Sequence, residues 1–183
     1  MAKFVALIRA INVGGHVVKM ADLKQYFVDM NFKNVSTVIA SRNVIFETTP
    51  ARAAHRAKLQ ASITRSLSDT LGFEADTFLR TPAELQAIVT HTPLDAAHAA
   101  DSASVLYVSF LRDAQPSDAA QRLKSLRNPV DEFALDGLEL YWLQHRGNGE
   151  SLVKPAQLAA ILTGPTTNRN ITSVRRLASK SGV

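Results

Sequence analysis

The stretch "NVSTVIASRNVIFET", Asn34 to Thr48, decides the fold. It holds two β-branched runs, Asn34–Ala40 and Asn43–Thr48, around the polar pair Ser41-Arg42. Such runs broken by polar residues read as a hairpin. Before it, Met20, Leu23, Phe27 and Met30 follow the i, i+3, i+7 spacing of a buried helix face. Asn31 suits the stop of that helix, because Asn tolerates left-handed φ. Earlier still, Lys3–Arg9 is almost continuously apolar, like a central strand. After the hairpin, Pro50 suits a first helical turn, and a long helix is predicted from about Ala51 to Leu71, stopping at Gly72. "ADTFLR" reads as a fourth strand. "TPAELQAIV" opens a further helix, with Thr81 at the N-cap, Pro82 at N1 and Glu84 closing a capping box.

The small, polar run "HTPLDAAHAADSAS" reads as a boundary, and the order then repeats. "SVLYVSFL" is a strand and Pro116–Leu126 a helix. "EFAL" and "LELYWL" flank Asp136-Gly137, a strong hairpin signal because both central residues are expected at positive φ. Lys154–Leu162 reads as a helix ending at Gly164, and Ile171–Lys180 as a last, amphipathic helix with Arg176 and Lys180 on its outer face. A fourth strand is clear only in the first half. The expected class is α/β (α+β): two ferredoxin-like βαββαβ halves with antiparallel sheets and helices on one face, spanning 1–92 and 103–183. The halves match in pattern, not in letters.

Composition narrows the function classes. The chain has 183 residues, 46% of them hydrophobic and 20% charged, as in a globular protein. No apolar run approaches the roughly 20 residues of a membrane helix. The apolar stretch near the N-terminus is shorter than a signal peptide's, about 7–15 residues. There is no cysteine, so disulfides, thiolate metal sites and Cys nucleophiles are excluded, and a cytoplasmic location is the default expectation. Of 21 basic and 16 acidic side chains, Lys154, Arg169, Arg175, Arg176 and Lys180 follow Glu150 with no acid among them. The first 150 residues therefore balance at 16 each, and the tail carries the net +5. A basic tail attracts phosphates or acidic partners; a solvated helix face accounts for it equally simply.

In the ferredoxin-like plan, the first and third strands are antiparallel neighbours, so the strand-one exit and the hairpin turn share one end of the sheet. Arg9, Asn12, Gly14 and Gly15 are then expected to face Ser41, Arg42 and Asn43. In the second half the same logic sets Asp136-Gly137 near Thr167, Asn168 and Arg169. Gly14-Gly15 before a helix can admit an anion to backbone N–H groups. There is no G-x-G-x-x-G and no P-loop lysine, so a plain tight turn is the simpler reading. Arg9 offers either a fork for phosphate or carboxylate or a partner for a loop acid. Asn12 suits a hydrogen bond within its own loop.

Catalytic signatures are absent. His16, His55, His91, His98 and His145 show no metal spacing, and neither a metal nor a cofactor is expected. No G-x-S-x-G elbow exists. Asp131 and Glu132 are adjacent in a strand and point to opposite faces, so they are no carboxylate pair. The strand aromatics Phe4, Phe46, Tyr107, Phe110, Tyr141 and Trp142 lack the setting of an RNA-recognition motif.

Three segments resemble a known family. "LIRAINVGGHVVKMADLK" is similar to its opening signature, "VIASRNVIF" to its hairpin signature and "TTNRNITSVRRL" to its C-terminal segment. The family is the bacterial one catalogued as domain of unknown function 1697. The resemblance implies a duplicated ferredoxin-like fold and no assigned activity. Its pattern falls on Arg9, Ile11, Asn12, Val13, Gly14, Gly15, Met20, Ser41, Asn43, Arg169 and Asn170. Ala10 and Arg42 stand where the family has glycine, and Ile171 where it has tryptophan. A glycine at the place of Arg42 implies positive φ.

The reading that results is a non-catalytic binding module for an anionic ligand, such as nucleic acid or a nucleotide, with no membrane partner. Its ligand-binding candidates are Arg9, Asn12, Gly14, Gly15, Ser41, Arg42, Asn43, Arg169 and Asn170. One alternative is an enzyme acting on a small phosphorylated or carboxylated metabolite, with His16 or Asp22 as acid–base candidate. Another is a module that binds a protein partner through a sheet edge or the last helix.

Overall fold

The computed structural model describes residues 1–11, 15, 17–38, 42–91, 93–94, 103–145, 147 and 149–182. Two compact units emerge: Met1–Gln86 with Arg176–Val183, and Ala87–Arg175. This division differs from a cut at 92/103, and it returns the C-terminal residues to the first unit. There the Lys3 ammonium donates to the Ser181 carbonyl at 3.2 Å.

The first unit contains β1 (Ala2–Ile8), α1 (Met20–Asp29), β2 (Lys33–Thr37), β3 (Asn43–Thr48), α2 (Pro50–Ala53), α3 (Arg56–Leu71) and β4 (Thr77–Arg80). The helix α4 (Pro82–Thr90) follows. The sheet order is β2-β3-β1-β4, antiparallel throughout, as the ferredoxin-like plan requires. β1 is central because Val5, Ala6, Leu7 and Ile8 are all fully buried, on both faces of the strand. One face, carrying Phe4, Ala6, Ile8, Val44 and Phe46, packs on Leu23 and Phe27 of α1 and on Leu59, Ile63 and Leu67 of α3. Phe27, Phe32 and Phe46 meet there with ring centroids 4.4–5.8 Å apart, each pair adding about 0.5–1.5 kcal/mol beyond its buried area.

Local signals account for most element ends. Asn31 takes φ 64° just after α1, and Gly72 takes φ 75° at the end of α3. The capping box of α4 is made: the Glu84 N–H donates to Thr81 Oγ1, and Glu84 Oε2 accepts from the Thr81 N–H at 2.7 Å. The long helix predicted from Ala51 to Leu71 is instead two, broken at His55 (φ −113°, ψ 55°). Arg52 stacks on the Phe32 ring at 4.5 Å and donates to the Met30 carbonyl. Arg56 reaches Glu84 and the Leu79 carbonyl. The break at His55 separates these two anchors, and the alanine-rich sequence there hides it.

The second unit repeats the order with β5 (Ser104–Leu111), α5 (Ala119–Lys124), β6 (Asp131–Asp136), β7 (Glu139–His145), α6 (Pro155–Ala159) and β8 (Thr166–Asn170), before α7 (Ile171–Ser181). Its sheet order, β6-β7-β5-β8, is that of the first. The helices α5 and α6 are shorter than their sequence patterns. β8 was not legible, because "TTNRN" has no apolar residue; its buried positions are Thr167 and Arg169. The β6–β7 pairing closes at Asp136–Glu139, so the central turn pair is Gly137-Leu138 and not Asp136-Gly137. Only Gly137 has positive φ, 56°, as a first central glycine allows. Among the described residues, no helix is long and apolar enough to cross a membrane.

Asp131 anchors the covered face of this second sheet. Its carboxylate accepts from Trp142 Nε1 at 2.9 Å, the Leu152 N–H at 2.9 Å and Asn128 Nδ2 at 3.1 Å. Burial alone raises its pKa, but hydrogen bonds from Ser151, Leu152, Trp142 and Asn128 outweigh burial and hold it below the ordinary aspartate value. A depressed carboxylate adds stability above its unfolded pKa, about 3.9, and loses it as pH falls through the folded value. The stability of the wild type should therefore fall below about pH 4, while Asp131→Asn flattens that acid limb and is less stable at pH 7 by about 1–3 kcal/mol. Urea titrations from pH 7 down to about pH 2 check both.

Candidate functional site

Three strand ends meet side by side at one end of the first sheet. The Ile8 N–H donates to the Arg42 carbonyl at 2.8 Å, and the Arg9 N–H to the Asp76 carbonyl at 2.8 Å. This continues the β3-β1-β4 ladders past Leu7–Asn43 and Ile8–Thr77. Arg9, Arg42 and Asp76 therefore sit at one rim, where the sequence placed Arg9 beside the hairpin turn. Asn12, Gly14, Ser41 and His16 lie outside the described residues.

Arg9 is the exposed cation of this rim. Its guanidinium lies 3.4 Å from Asp76 Oδ2, with the Arg9 side chain 52% exposed and that of Asp76 4%. Asp76 orients the fork without covering it. Asn43 is buried, and its Nδ2 donates to the Val38 carbonyl at the base of the hairpin turn. Gly15 is exposed at φ 91°, with nothing within 4 Å of where a Cβ would stand. Asp22 is exposed in the first turn of α1. Among the described residues no group of His, Asp and Glu could hold a metal ion.

Ala10 and Arg42 both adopt left-handed backbone, at φ 66° and 77°. These are the two places where the resemblance sets glycine, so the departures fall on positions that require its freedom. Each is a strained residue held at the rim by the ladder bonds beside it.

The second unit has the same construction with different residues. Leu111 corresponds to Ile8, since its N–H donates to the Leu138 carbonyl at 2.9 Å and it pairs with Thr166. By that register Arg112 stands where Arg9 does, Leu138 where Arg42 does and Glu139 where Asn43 does. Arg112 donates to the neighbouring Asp113 at 2.9 Å. The turn Gly137-Leu138 thus lies by Leu111 and Thr166. Arg169 pairs with Val108 inside the sheet, three residues from that end, which corrects its expected place beside the turn. Arg169 is buried, donating to Thr167 Oγ1 and the Asn168 carbonyl, and Asn170 Oδ1 accepts from the Ser173 N–H at 2.8 Å.

Arg80 is the first unit's counterpart of Arg169. It is buried, donates to the Leu79 carbonyl at 2.9 Å and precedes the cap Thr81. The shared Arg-cap-helix step, Arg80-Thr81 and Arg169-Asn170, was visible in the letters once the strands were aligned. A polar chain across three strands has no signature in the sequence. Ser104 Oγ lies 2.9 Å from His145 Nδ1, and His145 Nε2 lies 3.0 Å from Glu132 Oε1. Glu132 also pairs with Arg127 at 3.4 Å. Only the three-dimensional register reveals it, the three residues being far apart in sequence.

A family described as a protein of unknown function, DUF1697, matches residues 1–141. The chain belongs to this family. The match covers the strand-one and hairpin signatures and stops before "TTNRN". A solved structure, the conserved bacterial protein SP0830 from Streptococcus pneumoniae, is similar over 100% of this chain and 99% of its own, with a TM-score of 0.75 and 20% identity. That likeness shows the fold. No curated protein matches the chain.

Because glycine relieves the left-handed strain, Ala10→Gly should stabilise the chain, by about 0.5–1 kcal/mol after its larger unfolded-state entropy is counted. The shift of the urea midpoint at unchanged slope measures it.

Proposed function

We propose that this family member is a non-catalytic module that binds an anionic ligand, nucleic acid or a nucleotide, at the Arg9 rim of its first unit. The observation that carries the reading is the half-exposed Arg9 guanidinium, oriented by a nearly buried Asp76 beside the Arg42 turn. A planar fork held at one end is suited to phosphate.

Charge supports the same choice of unit. The first unit holds 13 Lys and Arg against 7 Asp and Glu, and the second 8 against 9. The corresponding rim of the second unit has Leu138 and Glu139 in place of Arg42 and Asn43, and so lacks the cationic pair. Long-range attraction of a polyanion therefore favours the first unit.

Gel shifts over a salt series with single- and double-stranded probes test the nucleic-acid form. Engagement of about four phosphates gives a log–log slope of roughly −3 to −4, and Arg9→Ala reduces it by about 1. Thermal shifts with mononucleotides test the small-ligand form. Absence of binding to every probe at low salt, or binding indifferent to Arg9→Ala, defeats the proposal.

A further inference from the structure

β6 is an edge strand, with β7 as its ladder partner. The Val130 carbonyl accepts from the His145 N–H at 2.8 Å, and the ladder closes at Asp136–Glu139. Main-chain groups alternate sides along an antiparallel strand. Those of Glu132, Ala134 and Asp136 therefore turn to β7, and those of Asp131, Phe133 and Leu135 turn outward. Asp131 is satisfied locally: its N–H donates to Asn128 Oδ1, and its carbonyl accepts from the Asn128 N–H, both at 3.0 Å. Among the described residues nothing bonds the outward N–H and C=O groups of Phe133 and Leu135.

A cleft of about 420 Å³ opens on this edge. Four consecutive residues, Glu132 to Leu135, line it. Successive strand side chains point to opposite faces, so a cleft that meets all four runs along the edge itself. Ala120 and Lys124, exposed and one turn apart on α5, also line the cleft, with Arg127 just past the end of that helix and with Pro93 and Leu94. A strand edge opposed by a helix across a partly apolar cleft is the geometry in which an extended peptide adds as a further strand.

We propose that this cleft binds an extended acidic segment of another protein. Its main chain pairs with Phe133 and Leu135, and a carboxylate on it faces Lys124. Charge selects this occupant. Arg127 is already paired with Glu132, whereas Lys124 has no ion pair among the described residues. A second copy of the chain is disfavoured, because antiparallel β6 against β6 sets Glu132 towards the copy's Asp136, like charge against like. The cleft lies wholly in the second unit and is independent of the Arg9 rim.

The test is a titration of the ¹⁵N-labelled full chain with the peptide acetyl-TVEVT-amide and its lysine counterpart acetyl-TVKVT-amide. The glutamate peptide should give saturable amide shifts at Phe133 and Leu135, and the lysine peptide should bind about tenfold more weakly. Lys124→Glu, a surface change that spares the core, should reverse this preference, while Arg9→Ala leaves it unchanged. Leu135→Pro should abolish the response, since proline there removes an outward donor and spares the bonds to β7. No saturable shift at either amide, equal response to both peptides, or shifts that depend on protein concentration without peptide would each overturn the proposal, the last by naming a second copy as occupant.

Discussion

The structure depends on one constraint: the first strand of each unit must be buried on both faces. Val5 and Leu7 face one way, Ala6 and Ile8 the other, and all four are fully buried. A strand of that kind cannot lie at an edge, so β1 takes β3 on one side and β4 on the other. β5 does the same between β7 and β8. Once the first strand is central, its exit, the hairpin turn and the start of the fourth strand fall at one rim. The rim that gathers Arg9, Arg42 and Asp76 is thus a consequence of apolar burial, and chemistry is placed there by whichever loop residues the sequence supplies.

The two units show how that scaffold diverges. The registers of β3-β1-β4 and β7-β5-β8 correspond, down to the ladder bonds Ile8–Arg42 and Leu111–Leu138, whereas β2 pairs with β3 across a register shift that β6 and β7 lack. Their fourth strands both deliver a buried arginine and then a helix cap, Arg80-Thr81 and Arg169-Asn170. What is kept is the device that joins strand to helix. What differs is the rim, cationic in the first unit and neutral to acidic in the second, in keeping with the charge of each unit. In the second unit the edge strand β6 runs beside α5, with the cleft along it.

Apolar periodicity made β1, α1, β3, β5 and α7 legible in the sequence, because burial on one or both faces writes itself as pattern. The capping letters fixed the start of α4. The helix break at His55 was not legible, since helix-forming residues run through it and the groups that anchor the flanking Arg52 and Arg56 lie 20 or more residues away in the chain. β8 was hidden because its buried positions are a threonine and an arginine satisfied by hydrogen bonds. At the candidate site, Arg9, Arg42 and Asn43 could be placed together from topology alone. Asp76 could not, since its role depends on β4 starting one residue after it. The glycine departures at Ala10 and Arg42 were readable as letters, and φ values of 66° and 77° give them their physical meaning.

We propose that the strand ends at the first unit's rim form the anion-binding surface. Amide chemical shifts recorded while inorganic phosphate is added at constant ionic strength address it most directly. The account predicts saturable shifts concentrated at Arg9, Ala10, Arg42 and Asp76, with the Leu111–Arg112 rim of the second unit unmoved. Shifts confined to Arg175, Arg176 and Lys180, or equal shifts at both rims, would contradict it.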